Sequence, residues 1–168
     1  MKTIDQPRLH ATKNDLPENA RGQLTDLLNA RLADAIDLMM QAKQAHWNVK
    51  GPNFIGLHEL FDKVYEAAGE YVDLIAERAV QLGGTVTGTI RMAAGRTTLG
   101  EYPLEIVNGR DHVDAVSTAL ATFGRAVRMG VNEADLLGDA DTADVLTEIS
   151  RGTDKLLWFV EAHLEGKA

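Results

Sequence analysis

The 168-residue chain contains no cysteine. It therefore has neither a disulfide framework nor a thiolate metal site, and His, Asp and Glu are left as its strong ligand types. Serine is almost absent, with only Ser117 and Ser150, and there is neither a G-x-S-x-G elbow nor a phosphate-binding P-loop. Serine-hydrolase and nucleotide-binding chemistry lose their support. No apolar run approaches the ~18 residues of a membrane-spanning helix, and Met1 to Pro17 lacks the apolar centre of a secretory signal. A cytoplasmic protein without a membrane partner is expected. Basic residues number 17 against 25 acidic ones, and the net charge of −8 argues against a surface that binds nucleic acid everywhere. Any hold on DNA would need a local basic arm.

The length suits one domain. Residues 1–21 carry Pro7, Pro17 and mixed charges without periodicity, and read as a mobile N-terminal arm. Lys2, Arg8, Lys13 and Arg21 against Asp5, Asp15 and Glu18 leave that arm a net +1, a weak electrostatic hook. A helix is expected from near Gly22, with Leu24, Leu28, Leu32, Ala35, Met39 and Ala42 recurring at steps of three and four, and His46 continuing the stripe. A second helix over 54–82 follows the short Gly51-Pro52-Asn53 turn and returns antiparallel to the first. Residues 85–108 form a long connection with one short helix near Arg91 to Gly95, which suggests a crossover. A third helix runs from about Gly109 to Gly138 on Val113, Val116, Leu120, Phe123, Val127 and Val131. Asp139 or Asp141 can cap a fourth, carrying Val145, Ile149, Leu156 and Val160. Residues 22–165 thus describe an all-α, ferritin-like four-helix bundle with one long crossover. Such bundles often hold metal internally through Glu-x-x-His motifs, and none occurs here.

Chemistry gathers on the second helix. With His58 at 0°, Asp62 falls at about 40°, Asp73 at about 60° and Glu77 at about 100°, whereas Leu57, Phe61, Val64, Ala68, Ile75 and Ala79 lie about 110° or more from the middle of that strip. Asp62 and Asp73 are ~16 Å apart along the axis, too far to share one ion within a chain. Residues 58 and 77 have the same sequence midpoint as 62 and 73, with Ala67, Ala68 and Gly69 beside it. A two-fold axis there would face His58 to Glu77 and Asp62 to Asp73 of a second copy. Two readings stand on spacing alone: a pair of metal sites bridging two subunits, or a solvated face with helix charge pairs. His46 taken alone reads as a buried core histidine, and Trp47 as core. His112, beside Asp111, reads as surface at a helix start.

The stretches KQAHWNVKGPNFIGLHELFD (43–62) and AERAVQLGG (76–84) resemble the Dps family, the miniferritins named for DNA protection during starvation. The likeness continues through YPLEIVNGRDHVDA and DTADVLTEISRGTDKLLWFVEAHLE, and spans about residues 13 to 165. It implies a hollow dodecamer whose iron-oxidising centres lie between two-fold-related subunits. His46, His58 and Asp62 would come from one subunit, and Asp73 and Glu77 from its partner. It further implies Fe2+ as the ion, hydrogen peroxide as the preferred oxidant over O2, Fe3+ stored as a mineral, and an acidic pore near Asp139, Asp141 and Asp144. A nucleoid protein that works mainly by coating DNA is the alternative, with weak DNA binding expected from so neutral an arm.

Overall fold

Four long helices and one short one account for most of the chain; the computed structural model describes residues 9–165. They are α1 (Glu18–Asn48), α2 (Phe54–Gln81), α3 (Ile90–Ala94), α4 (Gly109–Leu136) and α5 (Ala140–Glu161). α1 pairs with α2 and α4 with α5 as antiparallel hairpins, while α3 packs on α1. The apolar stripes meet in one core, where Leu24, Leu28, Phe61, Val64, Leu120, Phe123, Leu146 and Ile149 are fully buried. Each such side chain contributes roughly 1.5–3 kcal/mol by leaving water. All six residues of the α2 apolar stripe are buried, as the helical spacing requires.

The expected arm ends early. α1 begins at Glu18, directly after Pro17, whose fixed φ suits a helix start. Residues 9–17 lie against the end of α2: the His10 N–H donates to the Gly83 carbonyl at 2.7 Å, and Arg21 donates to the Leu16 and Leu82 carbonyls at 3.1 and 2.9 Å. Gly83 has φ +81°, and a Cβ there would stand 2.6 Å from the His10 carbonyl oxygen. Arg21 is thus a buried tie between helices and not part of a DNA hook. Residues 1–8, which hold Lys2 and Arg8, lie outside the described residues.

The crossover is stitched down by buried and half-buried polar groups on α1. Asp34 accepts from the Thr98 N–H and hydroxyl at 2.7 and 3.0 Å, Asp37 accepts from the Thr97 hydroxyl at 2.8 Å, and Gln41 donates to the Gly100 carbonyl at 2.9 Å. His112 departs from its expected surface position. It lies one turn before Val116 on the buried stripe of α4, is 1% exposed, and its Nδ1 meets the Tyr102 hydroxyl at 2.6 Å. The Nε2 makes no well-formed hydrogen bond among the described residues, although the Asn48 backbone lies near the ring. Burial holds the His112 ring below its ordinary pKa, against the opposing pull of Asp111 and the Asn48 backbone.

Among the described residues no helix is long and apolar enough to cross a membrane.

Candidate metal centre

His46 sits in the last turn of α1 and His58 in the second turn of α2, so the tight Gly51–Asn53 turn folds one onto the other. Their rings stack with centroids 3.6 Å apart and planes 22° from parallel. Each ring is pinned by the other's backbone: His46 Nδ1 donates to the His58 carbonyl at 2.8 Å, and His58 Nδ1 donates to the His46 carbonyl at 2.8 Å. A carbonyl oxygen can only accept, so both Nδ1 atoms carry the proton. In the neutral imidazole that tautomer leaves the lone pair on Nε2, the atom free to bind a metal. Phe54, one turn before His58, packs against its ring at 5.1 Å.

Asp62 joins this pair from one turn further along α2, with its Oδ1 3.8 Å from His46 Nδ1. Lys43 also bonds that carboxylate, and the Lys43 ammonium sits 4.6 Å from the centre of the Tyr65 ring. The hydrogen bond from Lys43 holds the Asp62 carboxyl below its ordinary pKa, outweighing burial, with the nearby histidines adding to the effect. The carboxylate stays ionised, with the Lys43 ammonium as its partner. Lys43 was not singled out from sequence, although its place one turn before His46 puts it on the same face of α1.

Asp73 and Glu77 are elsewhere. Both are exposed on α2, and neither makes a hydrogen bond or ion pair among the described residues. No group of three or more His, Asp or Glu side chains within the described part of one chain is arranged to hold an ion. The crossing point also differs from expectation in one residue: Ala68 is fully buried in the bundle and is not available to a second copy, whereas Gly69 lies on the polar strip. Trp47 is 60% exposed, against the expectation of a core role, because the α1 stripe that buries Ala42 and Ala45 turns it outward.

The three aspartates near α5 separate into two kinds. Asp139 is 3% exposed, caps α5, and accepts two 2.8 Å bonds from Arg78 together with the Thr142 N–H and hydroxyl. Burial pushes its carboxyl up, yet the bonds from Arg78 and Thr142 outweigh burial and hold it below the ordinary value. Its oxygens are committed to Arg78 and Thr142 in the interior of the chain. Asp141 and Asp144 are exposed, the Asp141 side chain by 85%.

A Ferritin family profile, described as a ferritin-like domain, matches residues 25–167. Over 161 residues the chain is 44% identical to the DNA protection during starvation protein of Agrobacterium fabrum, covering 96% of this chain and 99% of that one. The chain belongs to the Dps family. Solved Dps structures superpose on it along nearly its whole length. DpsC of Streptomyces coelicolor gives a TM-score of 0.91 at 28% identity, covering 99% of this chain and 98% of that one. A Dps of Microbacterium arborescens in a high-iron form gives 0.83 at 32% identity, covering 94% and 100%.

Proposed function

We propose that this Dps protein oxidises Fe2+ at centres shared by two-fold-related subunits and keeps the Fe3+ as a mineral inside a hollow dodecameric shell. The observation that carries this reading is the reciprocal histidine pair. His46 and His58 spend their Nδ1 protons on each other's carbonyls, which leaves the Nε2 lone pair of each ring unused, and the ionised Asp62 lies beside the His46 ring. The partner subunit's Asp73 and Glu77 complete the set, because an antiparallel copy brings them to the same place and one chain alone cannot.

Imidazole and carboxylate ligands suit a divalent first-row ion. Three carboxylates around one centre also favour the higher charge of Fe3+, which lowers the cost of giving up an electron. Glu77 can bridge two irons with its two oxygens, as an imidazole cannot. Lys43 leaves Asp62 as iron arrives and keeps the empty site from holding three unpaired anions. Two Fe2+ each give one electron to hydrogen peroxide, the O–O bond breaks, and two hydroxide ions form. Delivering both electrons to one peroxide avoids release of hydroxyl radical; O2 is the slower oxidant. Trp47, exposed beside His46, intercepts stray oxidising equivalents. Asp141 and Asp144 draw cations towards the cavity as an acidic ring once subunits assemble. The protein acts in the cytoplasm, where it protects DNA by removing iron and peroxide together.

The second reading, a nucleoid protein that works by coating DNA, loses support with Arg21 committed to the fold. Anaerobic addition of Fe2+ to the assembled protein, then hydrogen peroxide, tests the first reading. Ferric absorbance should rise fast, with two irons consumed per peroxide and the product retained in the particle. Oxidation no faster than in buffer would overturn it.

A further inference from the structure

α1, α4 and the crossover meet at a cavity of about 240 Å³ lined by Arg31, Thr98, Thr122, Arg125, Ala126 and Met129. Two guanidinium groups line it and no carboxylate does, in a chain of net charge −8. Arg31 is built into the fold, with its side chain 12% exposed. Its Nε and one terminal nitrogen bond Asp34 Oδ2 at 3.0 and 2.9 Å, and the other terminal nitrogen donates to the Ala126 carbonyl at 3.2 Å. Asp34 is fully buried and also ties down Thr98, so three segments clamp this head group. A guanidinium has five N–H groups, and these contacts leave two unused. Arg125, the residue before Ala126, is exposed and has no acceptor or acidic partner among the described residues. Asp34 cancels the charge of Arg31, so Arg125 leaves the mouth of the cavity positive.

The two hydroxyls sharpen the ligand's chemistry. Thr98 donates its proton to Asp34 at 3.0 Å, and Thr122 donates to the Thr118 carbonyl at 2.9 Å. Both oxygens keep lone pairs and have no proton to offer. The cavity therefore pairs N–H donors for anionic oxygens with acceptors for an acidic O–H. We propose that it binds inorganic hydrogen phosphate, with P–O⁻ oxygens on Arg31 and Arg125 and the P–OH donating to a threonine oxygen. Sulfate and the phosphodiesters of nucleic acid carry no O–H at neutral pH and meet only half of this pattern. None of the lining residues belongs to the iron centre, so the two sites stand or fall separately.

Isothermal titration of the assembled protein with inorganic phosphate, in chloride at fixed ionic strength, tests the assignment. Wild type should bind saturably and more tightly than it binds sulfate. Arg125→Gln, at an exposed position, should weaken phosphate by about tenfold, the worth of a charge-assisted contact. Thr122→Val should weaken phosphate while leaving the weaker sulfate binding unchanged. No saturable phosphate binding, equal affinity for the two anions, or an affinity untouched by Arg125→Gln would overturn the proposal. So would a duplex-DNA complex that Arg125→Gln abolishes when phosphate itself does not bind, since the cavity would then serve a polymer backbone.

Discussion

The two ends of the polar strip on α2 are prepared to different degrees. At the histidine end, ring stacking, two backbone acceptors and a lysine hold His46, His58 and Asp62 in place within one chain. At the other end Asp73 and Glu77 are exposed, with no side-chain partner among the described residues. Preorganisation is worth having where ligands must bind before chemistry begins. Half of the proposed centre has it and half does not, as closure by a second copy would require: the rigid half would wait, and assembly would supply the rest.

Replacing both Asp73 and Glu77 by Ala should give the largest effect on activity, dropping iron oxidation to its rate in buffer. Melting temperature and helical content should stay at wild-type values, because neither side chain has a partner to lose. His46→Ala should also abolish oxidation, but at a cost of about 1–2 kcal/mol in urea unfolding from the lost stack and hydrogen bond. Equal stability of the two variants would erase the contrast between the ends.

Arg78, next to Glu77, belongs to the fold although its neighbour does not. Arg78→Leu strands the buried Asp139 carboxylate and should destabilise by about 3–5 kcal/mol, which chemical denaturation reads directly. A smaller effect concerns pH. The folded His112 pKa lies below its ordinary 6.5, so as pH falls past that value the unfolded chain takes up the proton first. Stability from this group is complete above about pH 6.5 and is lost as pH falls towards the folded pKa, at no more than about 1.4 kcal/mol per pH unit. His112→Gln should remove that part of the acid slope, and an unchanged slope would count against a buried neutral imidazole. Smallest of all, Asp141→Asn with Asp144→Asn should slow iron uptake a few-fold at low salt and hardly at all at high salt. Asp139→Asn should instead act through unfolding.

Helix positions, the hairpin pairing and the α2 core stripe were legible in the sequence because helical periodicity is a local signal. The start of α1 lies four residues earlier than the periodicity suggests, since between Glu18 and Arg21 only the small Ala20 extends the apolar stripe. His112 was misread for a different reason: an imidazole at a stripe position next to an aspartate gives no local sign that Tyr102, ten residues away, will cover it. The site was half legible. Spacing put His58, Asp62, Asp73 and Glu77 on one strip, while His46 needed the resemblance to Dps. Lys43, the burial of Asp139 beneath Arg78 and the exposure of Trp47 depend on which helix packs where, and spacing along one helix does not carry that information.

Mixed shells test the shared centre most directly. Subunits carrying His46→Ala and His58→Ala, and subunits carrying Asp73→Ala and Glu77→Ala, should each be inactive when assembled alone. A two-fold pair made of one of each contains one centre with all five ligands, drawn from the unaltered half of each chain. Co-assembly should therefore restore fast peroxide-driven iron oxidation. Mixed shells that form yet stay as inactive as their parents would contradict a centre built from two subunits.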